Sequence, residues 1–115
     1  MIPEQADRTT PADMCKLLEL LESRAILDDE ACTAIIELMK RIQSSTRIPG
    51  LLPMGTVVAH KTGSYRRLRN DVGIVYAPNG PYVVALFARE LARDTVDDDV
   101  ALARISLAIF EEFAS

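Results

Sequence analysis

A chain of 115 residues with a formal net charge of −4 is long enough for one domain, or part of one, with a modest hydrophobic core. The acidic balance argues against nucleic acid as the main partner, because phosphate contacts need lysine and arginine clustered over a wide surface. The longest apolar run, at 82–88, falls far short of the roughly 20 residues that span a bilayer, so no membrane span is predicted.

Two amphipathic helices are predicted first. The first begins after Thr10, which can cap it, with Pro11 in the first helical position and Asp13 near the positive end of the helix dipole. It should end near Ser23, and a short connection leads to a second helix capped by Asp28, so the pair forms a helical hairpin. The predicted inner face of the second helix consists of Ala31, Ile35, Leu38, Met39 and Ile42.

Each of these helical segments contains one cysteine, Cys15 in the first and Cys32 in the second. A disulfide between them is one possibility. Lone cysteines on apolar helix faces are more often buried free thiols. The sequence therefore favours two reduced cysteines and keeps the pair as the alternative.

Three strands follow an irregular connector at 45–55, which contains two prolines and two glycines. The strands are predicted at 56–62, 71–77 and 82–88, and a turn of composition P-N-G-P joins the last two. The last two strands are almost wholly apolar. Strands of this kind are usually covered on both faces, so helices are expected on each side of the sheet.

A final helix at 95–113 begins with three aspartates, Asp97 to Asp99, which favour a helix start and explain the cluster better than a cation site. The order is α-α-β-β-β-α, which predicts an α+β fold: an antiparallel three-stranded meander covered by helices. Such a sheet exposes two edges and much apolar surface, so residues 1–115 are interpreted as a single partial domain. The broad apolar stripe of the last helix comprises Val100, Leu102, Ala103, Ile105, Leu107, Ile109, Phe110 and Phe113.

The segment GTVVAHKTGSYRR, at 55–67, has two interpretations. It nearly matches the phosphate-binding pattern G-x-x-x-x-G-K-[ST], but His60 replaces the second glycine and no helix follows Thr62. Its intervening residues also prefer extended geometry. A K-T-G triplet at the end of a strand fits better, because it can present an ammonium, a hydroxyl and an open backbone edge to an anionic ligand.

Three segments together carry a resemblance to a known family: RTTPADMCKLL, RIPGLLPMGTVVAHKTGS and RNDVGIVYAPNGPYVVALF. They are similar to consecutive segments of class A β-lactamases and related penicillin-recognising serine hydrolases. The resemblance covers nearly the whole chain from Arg8 and implies the C-terminal part of that fold, with the K-T-G strand as one wall of the active site. It also implies a β-lactam or peptide-like carboxylate as ligand, and no cofactor.

The resemblance assigns roles to particular residues. Lys61 would orient catalytic groups and attract the substrate carboxylate, and Thr62 would donate a hydrogen bond to it. Gly63 leaves room for the ligand, and the backbone N–H of Ser64 would supply one of the two oxyanion-hole donors. Arg47 matches the place where some members carry an arginine beneath the carboxylate site. The alternatives for that arginine are Arg66, Arg67 and Arg69.

Other motifs of the family are missing from the chain. No serine stands three residues before any of the lysines, so S-x-x-K is absent, and S-D-N and E-x-x-x-N are absent as well. We therefore expect a C-terminal fragment that does not hydrolyse β-lactams alone and that has the missing N-terminal part of the fold as a partner. The alternative is a non-catalytic module that binds a peptide or protein along the exposed strand.

Two neighbours of the motif have simpler explanations than catalysis. His60 should be packed or hydrogen-bonded, because adjacent strand residues point to opposite faces and no second histidine suggests a metal. Tyr65 either lines the mouth of the pocket or covers the strand edge. The compartment stays open, since the family is usually exported and MIPEQADR has no secretory pattern.

Overall fold

The structure is a computed structural model that describes residues 8–91 and 95–114. The number, type and order of its helices and strands agree with the predicted α+β fold. No helix in these ranges is long and apolar enough to cross a lipid bilayer. The elements are α1 (Pro11–Glu22), α2 (Asp29–Lys40), β1 (Val57–Tyr65), β2 (Leu68–Ala77), β3 (Gly80–Ala88) and α3 (Val96–Phe113).

The three strands form an antiparallel sheet in the order β1-β2-β3, so β2 is central. Lys61 lies opposite Val72, which fixes the register of β1. β1 continues to Tyr65, beyond the predicted end at 62, because a tight turn at Arg66 and Arg67 returns the chain directly into β2. The K-T-G triplet therefore lies within a strand and not at its end.

Helices cover both faces of the sheet, as predicted. On one face, α1 and α2 pack over a cluster that contains Leu18, Ile36 and Ile74. On the other face, the connector and α3 pack over a second cluster that contains Ile48 and Leu102. Because both faces of a three-stranded sheet are buried, the core consists of two thin layers on either side of β2.

The predicted buried faces of α2 and α3 are wrong in part. Cys32 and Ile36 are the buried residues of α2, whereas Leu38 is 62% exposed. On α3, Ser106 is buried although it lies outside the predicted stripe. Each helix meets the sheet along one narrow face, and several apolar residues beyond that face are exposed. On α3 these are Val96, Val100, Ile105 and Phe113.

Both cysteines are free, in agreement with the favoured interpretation. Cys32 is completely buried, and its thiol lies 3.8 Å from the backbone oxygen of Leu27. Cys15 is half-buried, and burial raises the pKa of its thiol, with Glu19 contributing in the same direction. These helices are therefore held against the sheet by packing.

Gly73 brings β1 and β2 close together. A Cβ atom at this position would lie 2.7 Å from both the backbone oxygen of Ala59 and the Cβ of His60. Separations this short are forbidden for carbon and oxygen in folded proteins. The glycine thus permits the buried side chain of His60 to lie against the middle of β2.

The cap of α2 provides a first testable prediction. The side chain of Asp28 accepts a hydrogen bond of 2.7 Å from the backbone N–H of Ala31, as expected for the residue that caps a helix. Asp28→Ala should lower the free energy of unfolding by about 1 kcal/mol. Asp28→Ser keeps an oxygen acceptor and should lose much less, as measured by urea unfolding. Equal losses in the two variants would contradict the capping role.

Candidate substrate-binding site

The K-T-G residues lie on β1, whose outer edge is unpaired among the described residues. Lys61 is exposed and its Nζ donates a hydrogen bond to the backbone oxygen of Thr62. Gly63 and Ser64 are also exposed, and a Cβ atom at Gly63 would lie 4.0 Å from the Nδ2 of Asn70, an ordinary contact distance. Thr62 is half-buried, and all four predicted residues lie on one stretch of this edge strand.

Arg47 supports this stretch from behind. It is only 6% exposed, and its Nη1 donates to the backbone oxygens of Gly63 (3.0 Å) and Asn70 (2.9 Å). Its Nη2 donates to the hydroxyl of Ser64 at 2.6 Å, and its Nε donates to Asp99 at 2.9 Å. Four of its N–H groups are thus directed at protein atoms. Arg47 orients the strand and does not itself project toward solvent.

Asp99 is the anionic centre of this network, and the sequence reasoning did not identify it as a site residue. Its carboxylate accepts hydrogen bonds from Thr46 (2.8 Å), Arg47 (2.9 Å) and Arg69 (2.8 Å). The prediction of a helix start is correct for its neighbour Asp98, whose side chain accepts from the backbone N–H of Thr95. The sequence offers one indication of this role, the presence of Arg47 and Arg69, because buried guanidinium groups need a carboxylate to neutralise them.

The ionisation of Asp99 couples this network to pH. Burial by itself would raise the pKa of Asp99, but hydrogen bonds from Thr46, Arg69 and Arg47 hold the pKa below its usual range. A carboxyl group with a lowered pKa stabilises the folded state above its unfolded pKa. That contribution is lost as the pH falls through the folded pKa.

We therefore expect the stability of the chain to decline below about pH 4. There the carboxyl group of Asp99 takes up a proton in the unfolded chain more readily than in the folded chain. Asp99→Asn should be less stable at neutral pH and should show a smaller decline at acid pH. Urea unfolding between neutral and acid pH measures both effects. An unchanged pH dependence in the variant would show that Asp99 is not responsible.

A second buried network is formed by His60 on β1 and Asp71 on β2. The Nδ1 of His60 lies 2.9 Å from one carboxylate oxygen of Asp71 and 3.0 Å from the other. Asp71 is completely buried and also accepts a hydrogen bond of 2.9 Å from the backbone N–H of Ile48, next to Arg47. The prediction that His60 is hydrogen-bonded is confirmed. The pair joins the connector to both β1 and β2.

The three alternative arginines have different positions. Arg66 is exposed at the turn, and Arg67 donates to the backbone oxygens of Glu90 and Leu91 beyond β3. Among the contacts of the described residues, Arg69 is the one of the three that reaches the Arg47 network, through Asp99. Tyr65 is 53% exposed at the end of β1. Among the described residues, Arg47 and Arg69 are therefore the cations that lie behind the K-T-G strand.

The arrangement matches one family of known proteins. The sequence profile of the Beta-lactamase enzyme family matches residues 2–113, and the chain belongs to this family. The extended-spectrum beta-lactamase PER-1 of Pseudomonas aeruginosa is 36% identical over 72 residues, which are 56% of this chain and 23% of that protein.

Solved structures agree with this assignment. The crystal structure of the TLA-1 extended-spectrum beta-lactamase superposes with a TM-score of 0.86 at 28% identity, covering 93% of this chain and 42% of that one. A class A beta-lactamase from Bacteroides cellulosilyticus gives a TM-score of 0.84 at 25% identity, covering 92% and 42%. The chain thus spans about two fifths of the length of these enzymes.

Proposed function

We propose that residues 1–115 are a single partial domain, the C-terminal segment of a β-lactamase-like serine hydrolase that supplies the wall holding the substrate carboxylate. One observation carries this proposal: the exposed Lys61 and the half-buried Thr62 lie on an edge strand that Arg47 fixes from behind. Donors on a rigid strand can bind a carboxylate with little loss of side-chain freedom.

Each residue of this stretch has a chemical role in the proposal. The Lys61 ammonium attracts the carboxylate of a β-lactam or peptide-like ligand, and the Thr62 hydroxyl donates a hydrogen bond to it. Gly63 lets the ligand approach the backbone, and the N–H of Ser64 is one of two donors to the developing oxyanion. Arg47 is a positioning residue, because its donors are already directed at the strand and Asp99.

Hydrolysis needs groups that the chain does not contain. A serine nucleophile and its base would form the acyl-enzyme, and S-x-x-K, S-D-N and E-x-x-x-N are missing from the sequence. We propose that the remaining part of the fold supplies these groups and that the chain alone is inactive. Uncovered apolar side chains support a missing neighbour, with Leu38, Met54, Val96 and Phe113 all more than half exposed.

The proposal is tested with nitrocefin, a chromogenic β-lactam, added to the chain with and without a complementary N-terminal fragment of a class A enzyme. We expect hydrolysis only from the combination, and Lys61→Ala in this chain should abolish most of it. Lys16→Ala changes an exposed lysine on α1 and is the matched control. Activity of the chain alone would contradict the proposal, as would equal effects of the two substitutions.

A binding measurement tests whether the K-T-G strand holds the substrate carboxylate, independently of hydrolysis. Titration of benzylpenicillin into the 15N-labelled chain should shift the amide resonances of residues 61–65 selectively. Thr62→Val removes the hydroxyl while keeping the shape and should weaken the shifts. Shifts that are absent, or that spread evenly over the chain, would leave the peptide-binding module as the better explanation of the open β1 edge.

A further inference from the structure

Tyr65 is a large aromatic residue that takes no part in the packing of the sheet. Its side chain is 53% exposed, and neither of the two core clusters contains it. Its hydroxyl makes no hydrogen bond with the described residues. The strand ends at this position, because Arg66 and Arg67 turn the chain back so that Leu68 lies opposite Tyr65. The ring is therefore free to offer its apolar surface to a ligand on β1.

The order of the proposed contacts along β1 matches the order of groups in a penicillin. Under the proposed function, the carboxylate lies at Lys61 and Thr62, and the reacting carbonyl faces the N–H of Ser64. Thr62 and Ser64 are about 7 Å apart at the rise of about 3.4 Å per residue of an antiparallel strand. In a penicillin, the acyl side chain lies beyond this carbonyl, on the side away from the carboxylate. A ligand bound in this direction therefore extends its acyl side chain toward Tyr65.

Gly63 leaves a gap on the face of β1 that Tyr65 shares with Lys61. Side chains alternate along a strand, so residues 61, 63 and 65 point to one face, and Ser64, whose hydroxyl accepts from Arg47, points to the other. Apart from its chain neighbours, a Cβ atom at Gly63 would meet one described atom within 4 Å, the Nδ2 of Asn70 at 4.0 Å. The space between the Lys61 stem and the Tyr65 ring is thus open to an acyl side chain.

We infer that Tyr65 is a specificity-determining residue whose ring packs against an aromatic acyl side chain of the ligand and so favours such ligands over those without one. The inference rests on the proposed function, because it takes the carboxylate position at Lys61 and Thr62 as given. A protein segment that filled the gap at Gly63 would stand beside the Lys61 ammonium, where the proposal places the ligand. The ligand is therefore the expected neighbour of the ring.

Two ligands that differ in the acyl group test the inference. Benzylpenicillin carries a phenylacetyl group, whereas 6-aminopenicillanic acid has the same ring system and carboxylate without it. Both are titrated into the 15N-labelled chain, and the amide shifts of residues 61–64 give the dissociation constants. Tyr65→Ala should raise the constant for benzylpenicillin about two- to tenfold, the range expected for an aromatic pair, and leave that for 6-aminopenicillanic acid unchanged. Tyr65→Phe keeps the ring and should bind both ligands like the unchanged chain.

A matched control and the contrary outcomes complete the experiment. Val57→Ala shortens an exposed side chain at the other end of β1 and should leave both dissociation constants unchanged. Equal losses for the two ligands in Tyr65→Ala, no loss for either, or an equal loss for benzylpenicillin in Tyr65→Phe would overturn the inference alone. If neither ligand shifts residues 61–64 of the unchanged chain, the proposed function is itself contradicted, and the inference with it.

Discussion

Arg47→Ala should lower the free energy of unfolding by about 3 kcal/mol, because it removes one partner of a buried ion pair and leaves buried acceptors without their donors. The variant leaves the Asp99 carboxylate with Arg69 as its remaining cation and removes the donors to the carbonyls of Gly63 and Asn70. Urea unfolding of the chain measures the loss.

Two further variants separate charge from geometry at this position. Arg47→Lys keeps the charge but cannot donate to the four acceptors that the planar guanidinium reaches, so it should recover only part of the loss. Arg41→Ala removes an exposed arginine at the end of α2 and should change the stability by less than about 0.5 kcal/mol. Full recovery with lysine would show that charge alone matters at position 47.

The second large effect is expected at Asp71. Asp71→Ala leaves the buried N–H of Ile48 and the buried imidazole of His60 without their acceptor, and it should cost about 3 kcal/mol or more. Asp71→Asn should cost less, because the amide oxygen still accepts from Ile48 and the imidazole can take the tautomer that accepts from the amide.

Urea unfolding again provides the measurement, with Asp29→Ala as the control for loss of an aspartate whose side chain is 89% exposed. The Asp71 variants should also weaken the benzylpenicillin-induced shifts at residues 61–65, because the pair positions the connector that carries Arg47. Normal stability of Asp71→Ala would contradict the role assigned to the buried network.

The elements of the fold could be predicted because their signals are local. Thr10 and Asp28 cap the helices at the predicted positions, and the apolar strands follow from composition. The buried helix faces were predicted less well: Leu38 is apolar but lies on the side of α2 away from the sheet. A periodic pattern identifies apolar residues, whereas their burial depends on which neighbours are present.

The candidate site, like the fold, was predicted only in part from the sequence. The K-T-G stretch was found from its sequence, and the resemblance marked Arg47. The contact of Asp99 with Arg47 spans 52 positions of sequence, and only the tertiary fold brings the two together. Asp71 left a weak signal, an aspartate at the start of an apolar strand, which indicates a buried partner without saying which residue it is. The pairing with His60 follows from the register of β1 and β2.

The close contact at Gly73 limits how the K-T-G strand, β1, can evolve. Any side chain introduced there would meet the main-chain oxygen of Ala59 as well as His60, so a smaller residue at position 60 cannot make room for it. Accommodation would require the two strands to separate, which would carry the K-T-G residues outward with β1. Mutational change along the K-T-G strand is therefore limited by Gly73, a buried position on the neighbouring strand.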